Sequence, residues 1–140
     1  MRTIKFRGKN RDKNEWVNGD LVVDEDGMHN VVRAKIITHC FTKSFQGGGF
    51  DHYSISTLVE PKTIGQFTGL LDKNGMEIYE GDVVHLGDPR ITYVLLWLDC
   101  GLKAKQIGAY GSFCGVTYWA ETMTIVGNIH DNPELLKNND

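Results

Sequence analysis

Apolar positions in this chain fall in short runs separated by Gly, Asn and Asp, a rhythm that predicts strands rather than helices. Runs rich in Val, Ile, Thr and aromatic residues place strands at Thr3–Arg7, Glu15–Val17, Asp20–Val23, Asn30–Thr38, His52–Leu58, Thr63–Phe67, Asp82–Leu86, Ile91–Leu98, Ser112–Trp119 and Met123–Ile129. In the first of these, Ile4 and Phe6 alternate with Thr3, Lys5 and Arg7, the period-2 pattern of a strand with one buried face. Tyr93 to Leu98 is apolar on both faces, so it is expected at the centre of a sheet, covered on each side.

The breaks between these runs have turn chemistry. Asp72-Lys73-Asn74-Gly75 predicts a tight reversal between Leu70–Leu71 and Met76–Tyr79, because Asn-Gly reaches positive φ cheaply. Glu80-Gly81-Asp82 and Gly87-Asp88-Pro89 mark two more turns, and Gly47-Gly48-Gly49 is expected to form a mobile loop tip. One helix is predicted, at the C-terminus. Asn132 or Asp131 would cap it, Pro133 suits the first helical position, Glu134 favours the positive end of the dipole, and it ends by Lys137. The expected fold is all-β, a small barrel or packed β-sheets with a short C-terminal helix, in a single domain over residues 1–140.

Composition narrows the class. At 140 residues a chain can bury a core without metal or disulfide, and 41% hydrophobic with 24% charged residues is an ordinary globular balance. No apolar run approaches the ~20 residues of a membrane helix, and no apolar stretch follows the basic start as in a signal peptide. Cys40, Cys100 and Cys114 are odd in number and lack CxxC spacing, so they read as reduced thiols. The net charge of −3 is uneven. Arg2, Lys5, Arg7, Lys9, Arg11 and Lys13 stand against Asp12 alone in the first thirteen residues, which leaves the remainder strongly acidic and excludes a uniformly basic nucleic-acid coat.

Candidate chemistry was weighed against structural roles. Lys5, Arg7 and Lys9, with Arg11 and Lys13, recur every second residue and would line one face of a continuous strand, a row able to follow a phosphate backbone. Gly8 and Asn10 to Asn14 predict a turn that breaks the row after Arg7, so a solvated strand face is the favoured reading. His29, His39, His52, His85 and His130 show no HExxH or HxH spacing, and no metal site is expected. Gly111-Ser112-Phe113-Cys114-Gly115 has Phe where a nucleophile elbow needs its nucleophile. Cys100 and Cys114 are therefore read as small buried hydrophobes, and Asp82 beside Glu80 as a turn residue. The glycine triplet lacks the Lys-Ser/Thr of a phosphate loop. Phe41, Phe45, Phe50 and Tyr53, and later Tyr110, Phe113, Tyr118 and Trp119, are assigned mostly to the core; Phe45 or Phe50, if exposed, would anchor a partner.

The block Thr63 to Val84, the opening Ile4-Lys5-Phe6-Arg7 and the ending Ile125 to Leu136 together resemble the YopX-like family of phage and prophage proteins. Within them Gly69, Asp72, Asn74, Gly75, Tyr79, Gly81, Asp82, Gly127 and Asn128 form a signature made of turn and core residues, which specifies a fold before any chemistry. The resemblance implies a mostly β, barrel-like fold with no catalytic residues and no cofactor. The function expected is that of a non-enzymatic accessory protein in the cytoplasm of a bacterial host. It would bind a host or phage protein, with a homo-oligomer open and no membrane involved. Nucleic-acid binding through Lys5, Arg7 and Lys9 is the alternative, and an unrecognised hydrolase or metalloenzyme a third class.

Overall fold

The computed structural model describes residues 1–26, 31–109, 113–115 and 121–137. Its strands are β1 (Phe6–Lys9), β2 (Trp16–Asp26), β3 (Val31–Phe45), β4 (Gly49–Val59), β5 (Gly65–Leu71), β6 (Glu77–Tyr79), β7 (Asp82–His85), β8 (Thr92–Leu98), β9 (Gly101–Gln106), β10 (Phe113–Gly115) and β11 (Thr124–Asn128). All pairings among the described residues are antiparallel, in two sheets ordered β4-β3-β2-β1-β5-β6 and β10-β9-β8-β7-β11. The all-β expectation holds, but no barrel closes among the described residues. The nearest approach is one bridge between Asn10 and Val59, which engages the inner end of β4, the last strand of its sheet among the described residues.

The chain forms two compact units, one of residues 4–66 and one of residues 1–3 with 67–140. In the first, register explains the core. Phe6 lies opposite Gly19, Leu21 opposite Ile36, and Ala34 opposite Val59, so these side chains share one face with Val17. Ala34, Ile36 and Val59 are buried there, with Phe6, Val17, Leu21 and Ile64 against them. Gly8 belongs to the same face; a Cβ on it would meet the Val59 Cβ at 2.9 Å. That close approach keeps Gly8 in the strand, where the sequence predicted a turn. The single turn Pro61–Thr63 is tied back to β1 by Thr63 Oγ1, which accepts from the Lys9 N–H at 2.9 Å and donates to the Glu60 carbonyl.

Several boundaries differ from expectation for identifiable reasons. The first strand starts at Phe6 rather than Thr3, and Ile4 is 63% exposed. Asn18-Gly19, read as a break, stays in β2 because β1 pairs across it. Strand β3 runs on past Thr38 to Phe45, since β4 supplies ladder partners from Ala34 to Phe45. The glycine triplet does lie at the tip: Gly47 and Gly48 take positive φ, and the Gly48 N–H donates to the Phe45 carbonyl. The tip is thus a glycine turn joining β3 to β4.

In the second unit β8 is the central strand of its sheet, as its two apolar faces predict, flanked by β7 and β9. Leu95 is fully buried with Ile78, Val84, Ala104 and Met123, and Leu70, Leu86, Tyr93, Leu102 and Ile125 pack around them. Strand β9 was not foreseen. Its Lys103 and Lys105 hid the alternation by which Leu102 and Ala104 face the core. Strand β10 falls inside the predicted Ser112–Trp119, the rest of which lies outside the described residues. The predicted C-terminal helix is one 3₁₀ turn, Pro133–Leu136. Asn132 makes no side-chain cap; its Oδ1 accepts from the Asn128 N–H and its Nδ2 donates to Glu134. Lys137 then goes extended and ends the turn.

Leu95→Ala should lower the unfolding free energy by about 3 kcal/mol through the cavity it leaves. Ile4→Ala at its exposed position should cost less than about 0.5 kcal/mol. Urea midpoints of the two variants test both assignments.

Candidate interaction surface

Strands β3 and β4 form a long two-stranded ribbon. In its outer part, residues 39–56, every residue is exposed. Alternation along β4 puts Val59, Thr57, Ile55, Tyr53 and Asp51 on one face. The register changes between Ile37 and His39, so one extra residue, Thr38, sits on β3, and its hydroxyl reaches the Ile55 carbonyl. Inside that bulge Ala34 and Ile36 share a face with Val59 and Thr57. Outside it His39, Phe41, Lys43 and Phe45 share that same face with Ile55, Tyr53, Asp51 and Gly49. The core face therefore continues outward as an uncovered apolar stripe.

On the stripe Phe41 stacks on Tyr53, with ring centroids 5.4 Å apart and planes 21° from parallel. Phe41 is 51% exposed, Tyr53 42%, Ile55 53% and Phe45 46%. Lys43 lies directly opposite Asp51, and Asp51 accepts from the Tyr53 hydroxyl at 3.1 Å. Phe50 is exposed on the other face, beside His52, which contacts Thr42. The assignment of Phe41, Phe45, Phe50 and Tyr53 to the core is thus overturned, because the ribbon has no second layer here among the described residues. Tyr110, Tyr118 and Trp119 lie outside those residues, as does the Phe113 side chain. Sequence reasoning singled out Phe45 and Phe50 but missed Phe41, Tyr53 and Ile55; the period-2 spacing of Tyr53 with Ile55 was the available signal.

Elsewhere the basic residues are engaged. Arg7 lies over the Trp16 ring at 4.5 Å and Lys9 at 5.6 Å, on the face away from the core, and Lys9 also reaches Asn14 Oδ1. Arg11, past the end of β1, pairs with Glu60 at 3.6 Å. Lys5 is half-buried just before β1. The row continues one residue beyond the expected break at Arg7 and stops in the turn that follows Asn10. Cys100, expected buried, is exposed in the turn between β8 and β9, where Asp99 takes positive φ; Cys40 is exposed on the ribbon. The Cys114 side chain lies outside the described residues.

The signature residues build turns. Asp72, almost fully buried, accepts from the N–H groups of Asn74 at 2.8 Å and Met76 at 2.9 Å, holding the reversal in which Gly75 has φ of 80°. Its other oxygen accepts from the Ile125 N–H, which fastens the reversal to β11. Burial by itself raises the Asp72 carboxyl, but the Met76, Asn74 and Ile125 amides outweigh it and hold the group below its ordinary 3.8. Asp82 is buried and accepts from the Tyr79 N–H at 2.8 Å across Glu80-Gly81, the turn role expected of it. Tyr79 is buried against Phe67 and donates to Glu77. Gly69 takes positive φ within β5, and Gly81 donates to the Leu95 carbonyl. Asn128 accepts from the His130 and Asp131 amides, and Gly127 passes so near Asn132 that a Cβ there has no room.

The described residues form an all-β protein of two antiparallel sheets, with its signature residues placed in turns and strands. The family model described as YopX protein matches residues 5–137, and the chain belongs to that family. It is similar to the crystal structure of protein EF1440 from Enterococcus faecalis, with 25% identity and a TM-score of 0.64, over 98% of this chain and 100% of that one. No curated protein matches the chain.

Because its native pKa is lowered, the ionised Asp72 contributes stability above pH 3.8, and that contribution is lost as pH falls through the native value. Asp72→Asn should cost about 1–2 kcal/mol at neutral pH and lose less stability on acidification than the parent chain. Urea unfolding between neutral and acid pH measures both.

Proposed function

We propose that this protein is a non-enzymatic accessory protein of phage or prophage origin, acting in the bacterial cytoplasm by binding another protein through the β3–β4 ribbon. The observation that carries this reading is the uncovered stripe of Phe41, Phe45, Tyr53 and Ile55, continuous with the core face. Water-exposed aromatics gathered on one face are uncommon unless something covers them, and buried aromatics supply much of the energy at interfaces. The nucleic-acid alternative draws less support. Trp16, the ring beside Arg7 and Lys9, is already stacked by these cations, and a base would have to displace them.

The test is a tagged chain in nuclease-treated bacterial lysate, read by mass spectrometry. Phe41→Ser with Tyr53→Ser should reduce the retained protein at least about tenfold, while Lys5→Glu with Arg7→Glu leaves it unchanged. Equal retention by the parent and the aromatic variant, or binding lost on nuclease treatment alone, would overturn the reading.

A further inference from the structure

The outer edge of β4 has its own pattern. The Leu58 carbonyl points outward, where it accepts from the Arg11 N–H at 3.3 Å, and the Glu60 N–H points the same way to the Lys9 carbonyl. In an antiparallel ladder the backbone groups of alternate residues point to the same side, so those of Ser56, Ser54, His52 and Phe50 also face outward. Strand β4 is the last of its sheet among the described residues, and the bulge is on β3, so this alternation runs unbroken. Natural edges are protected by Pro, Lys, bulges or brevity. Strand β4 has eleven residues, no Pro and no Lys, and Asp51 is its single carboxylate, beside His52.

The edge is also self-complementary. Turned about a two-fold axis at Ser54, the strand places Ser54 opposite Ser54, His52 opposite Ser56, Tyr53 opposite Ile55 and Asp51 opposite Thr57. The first two pairings use residues whose backbone groups point outward, the condition for a hydrogen-bonded antiparallel pair. Tyr53 with Ile55 falls at the closer, non-hydrogen-bonded positions, where an aromatic and a β-branched side chain pack well. No charge meets a like charge. The stripes of two copies would then join, with Tyr53 of each against Ile55 of the other. A two-fold contact of this kind closes on itself without forming a fibre.

We infer that the partner seated on the β4 edge is a second copy of this chain, paired antiparallel through β4 about Ser54 in one sheet continuous across both protomers. This rests on the ribbon being an interaction surface: the second copy takes its edge and leaves the joined stripe open to the other protein.

Sedimentation or light scattering of the purified full chain, across the micromolar range, should give twice the chain mass. Ser54→Lys, which opposes two cations at the axis on an exposed position, should weaken self-association by about tenfold or more. With Cys40, Cys100 and Cys114 changed to Ser, since Cys40 lies directly across the ribbon from residue 54, Ser54→Cys should form an interchain disulfide under mild oxidation. Phe50→Cys in the same background should not, its two copies lying eight residues apart along the paired strands. A monomer throughout overturns the inference; loss of lysate retention by the aromatic variant would still support the ribbon as a surface for a different protein. A dimer that Ser54→Lys leaves intact, or one cross-linked at residue 50 and not at 54, also overturns edge pairing.

Discussion

One extra residue controls what this protein presents to its surroundings. Without the bulge at Thr38, the even positions of β3 that carry Ala34 and Ile36 into the core would stay on that face, and Phe41 and Phe45 would turn to the other. The bulge resets the alternation, so the outer aromatics extend the core face. The Phe41–Tyr53 stack and the adjacent Lys43 and Asp51 follow from that reset. A ribbon of two strands is marginal alone in water; here it is continuous at its base with β2 and β1, which anchor it by ladder and core.

The rest of the fold depends on buried side chains that template turns. Asp72 gathers three amides, Asp82 takes one across the Glu80-Gly81 turn, and Asn128 holds the corner leading to the last turn. Each puts a polar group inside the structure only because backbone donors meet it there. These turn residues lie within the stretch of the chain that the YopX family model matches. Near the N-terminus, Arg7 and Lys9 lie over Trp16 and Arg11 pairs with Glu60.

Much of the architecture was legible from local pattern. Two-sided apolarity put Tyr93 to Leu98 at the centre of a sheet, and Asp72 to Gly75 forecast a reversal between strands now seen as β5 and β6. What escaped were effects of neighbours. Strand β9 is half lysine and glutamine by eye, and only the pairing with β8 shows that Leu102 and Ala104 point inward. The C-terminal segment has every helix-starting residue, yet Asn132 is drawn to Asn128 and one turn remains. Cys100 reads as a small hydrophobe and lies exposed because the β8–β9 connection leaves it outside the ladder.

The sequence by itself determined the all-β class, the main turns and the family, because period-2 alternation and Asn-Gly or buried-Asp turn chemistry act within a few residues. Tertiary structure decided which aromatics are covered. Phe41, Tyr53 and Ile55 look no different in composition from core residues, and their exposure depends on whether a second layer reaches them, a property of chain segments far away in sequence. It also decided that β4 ends its sheet among the described residues, since edge status is set by which strands arrive beside it.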